Sequence, residues 1–274
     1  MRTRGRAFKG LFMNDTTTEN AGAANVAAVK KLDEARARNF AGLRETMGMP
    51  QRGFASLVAM FFCLFAGATY AEEKPAPKKV ACVGDSITFG ARIEDRENKC
   101  YPAQLAVALG EGWTVKNLGE NGATLLGKGD RPWIEGQACK DAMAFAPDIV
   151  IINLGANDSK PQNIGKYPDE FIPDYLALIE RFRALPSRPL VYLCNPVEVF
   201  DFTGGIQYSV IEKDIRPRIK TVAERSKCAV IDLKTPFVNR KDLLADLVHP
   251  NADGAKLMAE IIAATIKGKA SEKP

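Results

Sequence analysis

The chain's only histidine, His249, follows Asp246 by three residues and immediately precedes Pro250. A serine hydroxyl attacks a carbonyl when three conditions are met. A base must take its proton, a third group must orient that base, and N–H donors must hold the oxyanion that forms. Imidazole is the natural base, because its unperturbed proton affinity sits near neutrality. Pro250 disfavours a helical conformation at the residue before it and suits the first position of the helix that follows. His249 is therefore expected at a loop-to-helix junction, with Asp246 on the same turn within reach of Nδ1–H.

Three further polar clusters end apolar runs: Gly84-Asp85-Ser86-Ile87-Thr88, Asn117-Leu118-Gly119-Glu120-Asn121-Gly122-Ala123-Thr124 and Gly155-Ala156-Asn157-Asp158-Ser159. They offer Ser86 as the nucleophile. The oxyanion donors would be the backbone N–H groups of Ser86 and Gly122 and the Asn157 amide. Gly122 suits that task because glycine permits close backbone approach and unusual dihedrals. Each residue also has a plainer reading. Asp85 or Ser86 can simply cap a helix, Asn157-Asp158 can be a turn pair, and a histidine before a helix is often structural. The conjunction of all four clusters in this order favours the chemistry.

Something must bring these clusters together. The runs Val80–Val83, Trp113–Asn117, Asp148–Leu154, Leu190–Cys194 and Ala229–Leu233 are short and mostly rich in Val and Ile. Their hydrophobicity is continuous rather than alternating, as in strands of a parallel sheet covered on both faces. Helices are predicted over Tyr101–Leu109, Asp141–Ala146, Asp169–Leu185, Val210–Arg225 and Asn251–Ile266. The apolar residues from Phe171 to Phe182 recur at steps of three and four. Five strands alternating with helices make a three-layer α/β/α domain, whose ligand sites gather at the carboxyl ends of the strands.

Gly84-Asp85-Ser86, Asn117-x-Gly119-x-x-Gly122, Gly155-x-Asn157-Asp158 and Asp246-x-x-His249 resemble the four hallmark blocks of the SGNH (GDSL-type) hydrolase superfamily. The resemblance runs over residues 79–268, with Ile87 where the GDSL name has leucine. It implies a flavodoxin-like α/β fold with a five-stranded parallel sheet of order 2-1-3-4-5. It also implies Ser86, His249 and Asp246 as the catalytic triad and Ser86, Gly122 and Asn157 as the oxyanion hole. Cys100-Tyr-Pro-Ala-Gln-Leu and Asn157-Asp-Ser-Lys-Pro-Gln are similar to bacterial sialate and carbohydrate O-acetylesterases.

Composition narrows the partners. Of 38 basic and 33 acidic residues, residues 1–71 hold ten and five, which leaves the remainder with 28 of each. A neutral body lacks the footprint that nucleic acid requires. One histidine and scattered cysteines give no zinc spacing, and the glycines form neither a dinucleotide fingerprint nor a P-loop. No metal or cofactor is expected.

Residues 1–46 read as a polar extension, from an upstream start codon or a cytoplasmic tail. Residues 47–71 read as a signal peptide cleaved after Ala71, or as an anchor, since 53–71 carry no charge and can just span a bilayer. The membrane is a partner only in the anchored case. Residues 72–78 form a linker, 79–268 the hydrolase domain and 269–274 a tail. Export permits disulfides, and Cys100 and Cys139 are one candidate pair.

The loops 91–101, 124–137, 158–168 and 195–209 surround the predicted crevice and carry Lys128, Asp130, Arg131, Trp133, Lys160, Gln162 and Phe202. Asp85, Asp158 and Trp133 are further candidates for contact with substrate. Trp133 either stacks on a sugar ring or caps the hydrophobic core. The polar loops favour a small acyl group on a carbohydrate. Two rivals are a lysophospholipase or thioesterase of the same superfamily and a catalytically silent carbohydrate-binding module.

Overall fold

In the computed structural model, residues 76–200 and 205–270 are described. The N-terminal extension, the apolar segment 53–71 and most of the linker lie outside them, as does Phe202.

The five apolar runs form the strands β1 (Lys78–Gly84), β2 (Trp113–Gly119), β3 (Ile149–Asn153), β4 (Leu190–Asn195) and β5 (Ala229–Asp232). All pairings are parallel and the order is β2-β1-β3-β4-β5. The helices are α1 (Ser86–Phe89), α2 (Arg96–Lys99), α3 (Tyr101–Leu109), α4 (Gln137–Phe145), α5 (Phe171–Arg183), α6 (Tyr208–Val210), α7 (Arg216–Ser226) and α8 (Ala252–Ala270).

Successive strand side chains point to opposite faces, and both faces are covered. Val80 and Cys82 of β1 pack with Leu105 of α3 and Met258 and Ile262 of α8. Ala81 and Val83 pack on the other side with Cys139 of α4, Phe182 of α5 and Val222 of α7. β3 is buried at all five positions, whereas the edge strands β2 and β5 are only partly so. Each fully buried side chain such as Leu105 or Ile262 contributes about 2 kcal/mol of transfer free energy. This is why the central runs are apolar without interruption.

The helices differ from expectation at several points, three of which have a local cause. α4 starts four residues early, because Glu120 Oε1 accepts the Ala138 N–H at 2.7 Å and satisfies a first-turn donor from across the fold. The stretch predicted as one helix over Val210–Arg225 contains a π turn at Ile211–Ile215 between α6 and α7. Pro217, which follows that turn, has no N–H to continue a regular ladder. Pro250 is not the first helical residue. Asn251 caps α8, its Oδ1 accepting from Asp253 N–H at 3.1 Å and Gly254 N–H at 3.0 Å, and Pro250 instead bridges to Leu244.

The order places β1 between β2 and β3, the point where a doubly wound sheet opens a crevice. In register, Gly84 at the end of β1 is level with Gly119 of β2 and Asn153 of β3. The three following loops therefore leave the sheet side by side. α1 lies tight over those ends. A Cβ on Gly84 would strike Thr88 Oγ1, and one on Gly119 would strike the Phe89 backbone nitrogen.

Candidate active site

Ser86 is the first residue of α1, directly after the buried cap Asp85, whose Oδ1 accepts the Ile87 N–H at 2.9 Å. First-turn N–H groups have no intrahelical acceptor, so the Ser86 N–H remains available above the sheet. Its Oγ lies 2.9 Å from His249 Nε2. On the far side of the ring, Nδ1 lies 2.8 Å from Asp246 Oδ2 and 3.0 Å from Oδ1.

Asp246 also folds its own turn. Oδ1 accepts the His249 backbone N–H at 2.8 Å and the Val248 N–H at 3.3 Å. Burial alone would push this carboxyl up. The His249 backbone N–H, the imidazole and the Val248 N–H outweigh it and hold Asp246 below the ordinary carboxylate range. The segment is closed by Ala245 N–H donating to His249 carbonyl at 2.7 Å. Arg92, from the loop after α1, donates through Nε to Asp246 Oδ2 at 3.2 Å.

Gly122 adopts φ +78°, a conformation that favours glycine, and among the described residues its N–H has no protein acceptor. Asn157 begins the turn after β3. Its Nδ2 donates to Ala123 carbonyl at 3.2 Å and lies 3.4 Å from Asp85 Oδ2, so an incoming oxygen would compete with two long bonds. Asn163 Nδ2 in turn donates to Asn157 carbonyl at 2.9 Å. Asp158 points away from solvent and accepts Leu125 N–H at 2.9 Å and Leu126 N–H at 2.8 Å. It thereby fastens the Gly122 loop to the Asn157 loop.

Ser86, Gly122, Asn157 and His249 line one open crevice of about 520 Å³, together with Phe89, Arg92, Lys160 and Ile206 among others. A hydroxyl, an imidazole and a carboxylate in line, beside free N–H donors, can carry acyl transfer by way of a serine ester.

Residues 82–257 match the model of the GDSL-like lipase/acylhydrolase family. The chain belongs to this family. Its matched span contains all four motif blocks and every residue of the geometry above. A curated relative, an acetylxylan esterase from Xylanibacter ruminicola, is 42% identical over 215 residues. That alignment covers 70% of this chain and 45% of the relative, so the chain spans about half of that protein's length. Among solved structures, a G-D-S-L family protein from Desulfitobacterium hafniense DCB-2 is 25% identical with a TM-score of 0.54, covering 68% of this chain and 98% of that one. An acetyl xylan esterase, AlAXEase, shares the fold at 20% identity and TM-score 0.54, covering 69% and 99%.

Within this GDSL-like domain, Ser86, His249, Asp246, Gly122 and Asn157 converge as the sequence reading expected. The three candidates for substrate contact do not join them. Trp133 is fully buried, its ring against Phe182 and its Nε1–H donated to Leu118 carbonyl at 2.9 Å, so it is a core residue with no face for a sugar. Asp158 is consumed by two backbone donors. Asp85 is a buried cap; burial and the nearby Asp158 charge, against the Ile87 N–H, push its carboxyl up to about 7. Burial also raises Asp158, to about 6, against the pull of the Leu125 and Leu126 N–H groups.

Of the loop residues, Lys160 lines the crevice, while Lys128 pairs with Glu170 and Asp130 is held by Gln162 and Asn163. Cys100 and Cys139 are separate buried thiols in different layers of the fold rather than a disulfide. Sequence reasoning missed Arg92, which carried no motif. The one signal was its place six residues after the serine, at the start of a polar loop.

Proposed function

We propose that the chain is a serine carboxylic ester hydrolase that removes short acyl groups, chiefly acetyl, from the hydroxyls of a carbohydrate. The observation that carries this reading is the line Ser86 Oγ–His249 Nε2–Asp246, at 2.9 and 2.8 Å. Ser86 Oγ attacks the ester carbonyl and passes its proton to His249 Nε2. The oxyanion is held by the Ser86 and Gly122 N–H groups and the Asn157 amide. As the tetrahedral intermediate collapses, the imidazolium returns the proton to the departing sugar oxygen and an acyl ester remains on Ser86. Water then attacks that ester with His249 again as base, and the carboxylic acid leaves. Asp246 keeps the ring in the tautomer with Nδ1–H.

Two features support a short acyl group over the lysophospholipase or thioesterase reading. The crevice is open, with cations and amides among its lining, and the acetylxylan esterase relative is 42% identical over 215 residues. We also infer export through cleavage after Ala71, with anchoring by the same segment as the alternative, and a mature catalytic domain over residues 79–268. Acetate release from a panel of acetylated glycans and sialic acids tests the substrate class. A p-nitrophenyl ester series should show kcat/KM falling steeply beyond short chains, whereas a rise toward long chains would support the lipid reading.

A further inference from the structure

Arg92 sits at a backbone position that ordinarily belongs to glycine. Its φ is +69°, in the left-handed region that L side chains rarely adopt. Such a conformation persists in a non-glycine residue where the surrounding structure fixes it, as it does at five other non-glycine positions among the described residues. The side chain here reaches across the crevice mouth from the loop between α1 and α2. Its Nε donates to Asp246 Oδ2, the same oxygen that receives His249 Nδ1–H, at 3.2 and 2.8 Å. Arg92 itself is 66% exposed and lines the crevice with Ser86 and His249. An ion pair this exposed contributes little to folding, so its place beside the catalytic carboxylate is the feature to account for.

We propose that Arg92 is a positioning residue for the ester hydrolysis, fixing the Asp246 carboxylate against the imidazole. The inference rests on the serine-hydrolase reading above. With Oδ1 occupied by two backbone N–H groups and Oδ2 shared between His249 and Arg92, the carboxylate has one orientation. A fixed carboxylate holds the ring plane toward Ser86. Asp246 is in contact with both the ring and Arg92.

The test compares Arg92→Gln, Arg92→Lys and Arg92→Gly in the full chain, by kcat and KM on p-nitrophenyl acetate and by thermal melting. Arg92→Gln should lower kcat about three- to thirtyfold with KM little changed. Arg92→Lys keeps the charge without the planar Nε donor. It should recover only part of kcat. Arg92→Gly suits the left-handed backbone, so it should melt no lower than the native protein while losing rate as Arg92→Gln does. An Arg92→Gln variant with native kcat would overturn the proposal while leaving the serine mechanism intact. So would an Arg92→Gly variant whose loss of rate is accompanied by a lower melting temperature. If Ser86→Ala hydrolysed the same ester at the native rate, the underlying mechanism would fail and this inference with it.

Discussion

The Asp158 carboxylate accepts the Leu126 backbone N–H at 2.8 Å, joining the loop after β3 to the loop after β2 beneath the crevice floor. Its second oxygen takes the Leu125 N–H at 2.9 Å. Both loops carry an oxyanion candidate, Asn157 on one and Gly122 on the other. Asp158 thus sets their separation without touching substrate. Aspartate at this position is needed for its two acceptors, which asparagine cannot supply.

Asp158→Asn replaces one acceptor with a donor that faces a buried N–H. The loss should be about 2–3 kcal/mol of stability, the range for an unsatisfied buried polar group, measured by urea unfolding. Turnover should fall as well, because the two donors lose their common brace. An Asp158→Asn protein with native stability and lower turnover would instead assign the residue to substrate contact.

The pH dependence of stability follows from the two raised carboxyls. Asp85 and Asp158 titrate near 7 and 6 in the folded chain, against 3.8 for the ordinary group. Between those limits the folded state binds more protons than the unfolded one, so the contribution of these two groups to stability is fully present below pH 3.8 and falls as pH rises toward 7. Asp246 works in the opposite direction: its lowered carboxyl favours the fold above its ordinary range and that contribution is lost in stronger acid. Asp85→Asn retains an acceptor for the Ile87 cap but cannot ionise. It should flatten the decline by at most about 1.4 kcal/mol per pH unit, the slope of one proton. Urea unfolding at pH 4.5, 5.5 and 6.5 checks this; a native slope that rises over that interval would contradict it.

Trp133 separates a core role from sugar stacking. Trp133→Phe keeps most of the apolar volume and removes the bond to Leu118 carbonyl. It should cost about 1–3 kcal/mol in stability and leave KM for an acetylated oligosaccharide within twofold, on the order of experimental scatter in RT ln K. A rise in KM with unchanged melting would restore the stacking reading.

Much of the fold was legible because Val80–Val83 of β1 and Ile149–Ile152 of β3 are buried on both faces and carry apolar side chains throughout. The convergence of Ser86, Gly122 and Asn157 was legible for the related reason that parallel strands end at one edge. Other features depend on contacts between distant segments. Trp133 sits in a polar stretch, and nothing local reveals that its indole reaches Leu118. The early start of α4 depends on Glu120, and Arg92 shows its relation to Asp246 only when the loop after α1 meets the turn before α8. Asn251 was legible in principle, since asparagine is a strong cap, but the helix-starting habit of Pro250 outweighed it.

The most direct test of the central claim is covalent labelling of the full chain by a fluorophosphonate, with the modified peptide located by mass spectrometry. The account predicts a single adduct on Ser86, absent in Ser86→Ala and slowed at least about a hundredfold in His249→Ala. No adduct on Ser86 of a folded protein, or a Ser86→Ala variant that still hydrolyses acetyl esters at the native rate, would contradict it.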